Sequence, residues 1–127
     1  MPKFLIDSDI IIWYLRGRKD VIALLEELQK SGVPACSPIS IVEIQLGVIK
    51  GEEEKTSKFL NSLEVYPMGR EIANLAGEYI RKQKKKGITL EIPDAIVGAT
   101  CILNNLTLVT LNKKHYPFEG IKFYPIK

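Results

Sequence analysis

The sequence predicts an α/β fold: a parallel sheet of four or five strands with helices on both faces. Three observations predict it. Short apolar runs alternate with segments whose apolar residues recur at helical spacing, and strands separated by helices pair in parallel. Glycines and prolines fall at the joints between these segments. The chain has 127 residues, 46% hydrophobic and 26% charged, which suits one domain over residues 1–127 whose core needs no staples.

The elements follow in order. Lys3 to Ile6 reads as a short buried strand, and Asp9 to Leu15 as a helix ended by Arg16-Gly17-Arg18. Asp20 to Lys30 places Val21, Ile22, Leu24, Leu25 and Leu28 at helical spacing, with Gly32 beyond it. Pro34 to Ser37 is a second strand, Ser40 to Lys50 a helix stopped by Gly51, and Glu53 to Leu63 another helix. Glu64 to Tyr66 is a third strand before Pro67. Arg70 to Lys86 carries Ile72, Leu75, Ala76, Tyr79 and Ile80 on one face, with Gly87 after it. Pro93 opens a helix to about Asn104, as proline favours a first helical turn. Leu106 to Thr110 is a fourth strand and Lys122 to Tyr124 a short fifth.

The formal net charge of +3 is compatible with a nucleic-acid partner without requiring one. Cys36 and Cys101 lie in apolar stretches and read as core residues, and a single histidine, His115, excludes a multi-histidine zinc site. The apolar run Phe4 to Leu15 is broken by Asp7 and Asp9 and has no basic leader. No run approaches the roughly 20 residues that span a bilayer. A cytoplasmic protein without membrane contact is expected.

Parallel sheets place functional sites at the carboxyl ends of their strands. The first such end is Asp7-Ser8-Asp9, where helix capping accounts for one of the two carboxylates. The second is the helix Ser40-Ile41-Val42-Glu43-Ile44-Gln45-Leu46-Gly47. Ser40 and Glu43 fit a capping box there, yet a carboxylate in so apolar a helix is costly to bury without a partner. The third is Asp94, in the first turn of a helix whose Ala95, Gly98 and Ala99 permit close approach to the sheet, with Glu91 three residues earlier. Asp94 there also suits the helix dipole. The fourth is Thr110-Leu111-Asn112, which turn chemistry alone could explain. Together they gather three carboxylates at one sheet edge. Crowded carboxylates resist joint ionisation, and a hard cation with oxygen ligands relieves them. The lack of histidine and cysteine ligands favours Mg²⁺ or Mn²⁺ over zinc.

These motifs resemble the PIN-domain ribonucleases, and within them the VapC-type toxins of toxin–antitoxin pairs. Phe4 to Ile12 looks like the opening strand and first acid, and Ser40-x-x-Glu43-Ile44-x-x-Gly47 like the second motif. Pro93 to Thr100 looks like the third, and Leu108 to Asn112 like the fourth. The resemblance implies a three-layer α/β/α sandwich and Mg²⁺- or Mn²⁺-dependent endonucleolytic cleavage of RNA, with a bound water activated for attack. It implies that Asp7, Glu43 and Asp94 are catalytic metal ligands. Ser8, Asp9, Ser40, Thr110 and Asn112 would support them. It also implies a homodimer and a cognate antitoxin, with Trp13 and Tyr14 as contacts. Many members carry a fourth acid where this chain has Asn112 and His115, which puts a second metal in doubt and gives Asp9 a compensating role.

Three alternatives remain at this stage. One is an RNA-processing nuclease of the same family without an antitoxin. Another is a haloacid-dehalogenase-like phosphotransfer enzyme using Asp7 as nucleophile, which wants a lysine in a later loop. The last is a non-catalytic RNA-binding module. The basic run Arg81-Lys82-Gln83-Lys84-Lys85-Lys86 suits a helix end or a phosphate backbone. Arg16, Arg18 and Lys19, and then Lys113 and Lys114, add basic flanks to the acidic centre.

Overall fold

The structure is a computed structural model and describes residues 3–126. Five short strands, β1 (Phe4–Ile6), β2 (Ala35–Cys36), β3 (Glu64–Val65), β4 (Thr107–Val109) and β5 (Lys122–Phe123), form one sheet in the order β3-β2-β1-β4-β5. Every pairing is parallel; Leu5 lies opposite both Ala35 and Leu108. The strand order reverses at β1, whose successors in the chain extend the sheet to one side and then to the other.

Six helices cover the sheet: α1 (Ser8–Leu15), α2 (Lys19–Gln29), α3 (Pro38–Leu46), α4 (Glu53–Asn61), α5 (Arg70–Lys85) and α6 (Ile92–Asn104). Alternation along the strands sorts the core into two halves. Leu5 and Leu108 meet Ile72 and Ala76 of α5 and Ala95, Ile96 and Ala99 of α6. Ile6, Cys36 and Val109 meet Ile10 and Ile11 of α1, Val21 and Leu25 of α2, Ile44 of α3 and Leu60 of α4. The expected three-layer α/β/α sandwich is therefore what the chain forms. Each fully buried leucine or isoleucine contributes about 1.5–3 kcal/mol. Cys36 and Cys101 are free and buried, and burial pushes their thiols up to about 11 and about 12.

Helix boundaries differ from expectation by a residue or two at most ends, but α3 is a correction. It begins at Pro38 rather than Ser40 and ends at Leu46 rather than Lys50. Proline suits the first helical position because its missing N–H would be unpaired there anyway. The cap is therefore Ser37, whose hydroxyl accepts from the Ile39 amide at 3.3 Å. The expected Ser40–Glu43 capping box does not form; Ser40 lies inside the helix, fully buried, and its hydroxyl has no partner among the described residues. At the other end Gly47 caps the helix, ahead of Gly51.

Of the two aromatic residues expected to face partners, Tyr14 stacks on Phe59 of α4 with ring centroids 4.3 Å apart. Trp13 is exposed, with the guanidinium groups of Arg18 and Arg16 at 5.3 and 6.0 Å from its ring. No helix of the described residues is long and apolar enough to cross a membrane.

Candidate active site

The reversal of strand order at β1 opens a crevice at the carboxyl ends of β1 and β4, the usual ligand position in an open α/β sheet. Asp7 leaves β1 directly into this crevice and caps α1; its Oδ1 accepts from the Ser8 amide at 2.8 Å. Thr110 leaves β4 beside it. Its hydroxyl donates to Asp7 Oδ2 at 2.9 Å, and the buried Tyr116 hydroxyl donates to the same oxygen at 2.7 Å. An ionised carboxylate offers about four acceptor positions. Three donors hold Asp7 in place and leave capacity for one more partner.

Asp9 is tied down two residues later. Its Oδ1 accepts from the Ile10 amide at 2.7 Å, and its Oδ2 from the Leu111 amide at 2.9 Å and the Asn112 side-chain amide at 3.0 Å. Thr110 also lies 3.3 Å from this oxygen, but its single proton favours the shorter contact to Asp7. Asp9 and Asn112 thus form a clamp that fixes the loop after β4 against the start of α1. The Asn112 amide in turn donates to the Thr110 hydroxyl at 3.0 Å, which orients that hydroxyl.

Glu43 enters from α3 and Asp94 from the first turn of α6, and both are half-buried. One cavity of about 360 Å³ is lined by Asp7, Asp9, Glu43, Glu91 and Asp94, with Ser8, Asn112 and His115 among its other walls. Among the residues expected at the site, Thr110 supports this cavity from beneath, and Ser40 lies outside its lining. His115 Nδ1 is 3.7 Å from Asp94 Oδ2, a charge pair only when the imidazole is protonated.

One contributor has no mark in the sequence. Tyr116 reaches Asp7 and also lies 3.4 Å from Asp94 Oδ1. It sits just past the last motif, and no spacing rule marks a tyrosine that folds back on an acid 109 residues away. Glu91, expected either to reach the site or to face solvent, lines the same cavity and is exposed.

Tyr116→Phe would retain the ring and delete only the buried donor. It is expected to lower the unfolding free energy by about 1.5–3 kcal/mol, the range for hydrogen bonds to charged groups. Urea denaturation measures this, and an unchanged midpoint would show the hydroxyl to be idle.

The acids share one electrostatic problem. Burial, and then the Asp7 charge, push Asp9 up to about 6. Burial is also the first cause for Glu43, partly offset by the Ser8 side chain and reinforced by Asp7 and Asp94. Asp94 is raised by burial and then by Asp7, against the opposing pull of His115 and Tyr116. Burial and then the Asp7 charge push the Tyr116 hydroxyl far up, so it stays a donor.

Between 3.8 and about 6 the folded chain holds the Asp9 proton more tightly than the unfolded chain does, so stability falls as pH rises through that window. The urea midpoint should be lower at about pH 7 than at about pH 5, and Asp9→Asn should shrink the difference. Equal midpoints in the wild-type protein would contradict this account.

An open cleft of carboxylates at the switch point of a parallel sheet, braced by buried hydroxyls, defines the class: an open α/β protein with an acidic crevice at the carboxyl ends of its strands. The profile of the PIN domain family matches residues 4–121, and the chain belongs to that family. Ribonuclease VapC10 of Mycobacterium tuberculosis is 33% identical over 119 residues, covering 93% of this chain and 90% of that protein. Ribonuclease VapC1 of Methanocaldococcus jannaschii is 32% identical over 126 residues, covering 98% of this chain and 85% of that protein. A toxin–antitoxin complex from Klebsiella pneumoniae contains a chain of similar fold, with a TM-score of 0.79 and 27% identity, covering 97% of this chain and 98% of that one.

Proposed function

We propose that this chain is a metal-dependent endoribonuclease and the toxin of a toxin–antitoxin pair. The observation that carries the proposal is the cleft itself, where five carboxylates converge and three of them hold their protons above the ordinary range. Relatives named as ribonucleases give the substrate class. Such a cleft would repel an RNA phosphate unless a cation intervened.

The donor set fits a hard divalent cation. Asp7, Asp9, Glu43, Glu91 and Asp94 offer oxygen, His115 beside Asp94 adds one imidazole, and no cysteine among the described residues lines the cavity. Among the described residues, no three acidic, histidine or cysteine side chains already enclose one point. An open arrangement suits Mg²⁺, which keeps several waters, and Mn²⁺ shares its preference for oxygen. Asp7, Glu43 and Asp94 would hold the ion. When bound, it supplies positive charge to the phosphate under attack and polarises water. The protein supplies orientation. Thr110 and Tyr116 fix Asp7, the Asp9–Asn112 clamp fixes the neighbouring loop, and Ser8 stands beside Glu43. Groups held this way need little reorganisation when the substrate arrives.

The test is purified protein on structured and single-stranded RNA with Mg²⁺, with Mn²⁺ and with a chelator. Internal cuts that appear only with a cation are expected. Intact RNA in every condition would remove the assignment, and absence of Mn²⁺ binding by calorimetry would favour the non-catalytic module. The phosphotransfer alternative is not supported, since no lysine among the described residues lines the cavity.

A cognate antitoxin belongs to the proposal because the Klebsiella pneumoniae neighbour is a toxin–antitoxin complex. The groove beside Glu43, lined by Ile12, Leu15, Ile44, Val48 and Ile49, offers such a protein an apolar seat. A homodimer belongs to it as well, with the exposed Val42 and Leu46 of α3 available to a second copy. Light scattering on Leu46→Glu reads this out.

A further inference from the structure

The carboxylate cavity has two neighbours, and they differ in chemistry. On one side, sharing Glu43 with it, is the apolar groove of Ile12, Leu15, Ile44, Val48 and Ile49, whose one cation is Arg16 and whose acid Glu52 opposes it. On the other side is a cleft of about 650 Å³ that shares Asn112 and His115 with the cavity and continues past Lys113 and Lys114 to Ile126. Among the described residues, no carboxylate lines this second cleft.

Lys113 and Lys114 sit in the short 3-10 turn, Lys113–His115, that follows the loop clamped by Asp9. Both are exposed, and neither forms an ion pair among the described residues. Lys113 Nζ lies 5.7 Å from the centroid of the Phe123 ring on β5, which steadies its charge over the sheet edge. Two unneutralised ammonium groups on an anchored turn, in a cleft continuous with the carboxylates, meet the requirement of a phosphate chain that must leave an acidic centre.

We propose that the RNA strand runs from the carboxylate cavity into this cleft, where Lys113 and Lys114 bind successive backbone phosphates. The inference rests on the nuclease assignment and adds the direction of the strand. The contacts are to phosphate, so they hold the strand without reading its sequence. The apolar groove on the other side is left free of substrate.

The experiment is fluorescence anisotropy of a short labelled single-stranded RNA over a salt series, with Ca²⁺ in place of Mg²⁺ so that a hard cation offsets the carboxylates without supporting cleavage. The protein is wild type, Lys113→Ala/Lys114→Ala, Lys113→Glu/Lys114→Glu, or Lys3→Ala/Lys30→Ala. The last pair is a charge-matched control. Lys3 precedes β1, and Lys30 ends α2 ahead of β2, so both lie at the opposite edge of the sheet from the cavity.

The alanine pair should raise Kd roughly tenfold at about 0.1 M salt and reduce the slope of log K against log salt by about 1.4, since each single-strand phosphate contact contributes about 0.7. The glutamate pair should weaken binding further, and the control should follow wild type. With Mg²⁺ present, cleavage by the alanine pair should show a raised KM and a nearly unchanged kcat. Wild-type affinity and slope in the alanine pair would overturn the inference, as would an equal loss in the control or no RNA binding by wild type. The parallel cleavage assay keeps the two failures apart. Wild type that cuts RNA while the alanine pair binds normally defeats only the strand path, whereas wild type that cuts nothing defeats the nuclease assignment.

Discussion

Asp94→Asn should give a protein that cuts RNA at least about 10³-fold more slowly, a loss of about 4 kcal/mol in transition-state stabilisation, and that is no less stable than wild type. The two halves of this result come from the same charge. Asp94 is raised by burial and by Asp7, with Glu91 adding to the repulsion, so its ionised form is held at a cost to the fold. Asparagine has the same shape, and its side-chain amide can donate to the Tyr116 hydroxyl oxygen, which lies 3.4 Å from Asp94 Oδ1 and gives its own proton to Asp7. It gives up only the charge, and a cation site needs that charge. A carboxylate kept for packing would behave in the opposite way, losing stability when neutralised and leaving the chemistry intact. Thermal denaturation in chelator and cleavage in Mn²⁺, on the same preparations, separate the two. Full activity, or a clear drop in Tm with activity preserved, would take Asp94 out of the site. A divalent cation should also raise the Tm of wild type more than that of the variant, because a ligand bound only by the folded state stabilises it.

The acids were legible because each sits at a position that local pattern marks. Asp7 follows a buried apolar run, Asp94 follows Pro93, and Glu43 interrupts an apolar helix. Parallel pairing then forces their elements to one edge, and the cavity lined by all three follows from topology. What sequence pattern missed is of two kinds. The start of α3 was a local competition between two serines, and Pro38 decided it for Ser37 by fitting the first helical position. Tyr116 was missed for a different reason. Its bond to Asp7 joins residues 109 positions apart, and nothing periodic encodes such a contact. The same holds for Thr110, 103 positions from Asp7. It was noticed only because it ends a strand. Polar residues that finish a site by long-range closure become visible once the strands are in register.

Gly98→Ala should lower Tm by roughly 4–8 °C, which for a chain of this size corresponds to about 1–2 kcal/mol. Helix propensity alone predicts the opposite sign, because alanine is favoured over glycine in a helix interior by about 0.5–1 kcal/mol. Packing decides. The small residues of α6 were expected to let the helix approach the sheet, and Ala95 and Ala99 are fully buried. The space at Gly98 is filled by something else. A Cβ placed there would collide with both Cε2 and Cζ of Phe118. That ring cannot retreat easily, since it is 5% exposed and stands 4.4 Å, centroid to centroid, from the ring of Tyr79. Overpacking of this kind costs about 1–3 kcal/mol, which outweighs the propensity gain. Pairing Gly98→Ala with Phe118→Leu should restore part of the loss relative to the sum of the single changes, as a double-mutant cycle would measure. A Gly98→Ala protein as stable as wild type would show that the ring moves without cost. The site should feel the change too. Phe118 is two residues beyond Tyr116, and Gly98 is one helical turn beyond Asp94. A displaced ring draws the Tyr116 hydroxyl away from Asp7 Oδ2, now 2.7 Å distant. Gly98→Ala should therefore lose stability and cleavage together, where Asp94→Asn loses cleavage alone.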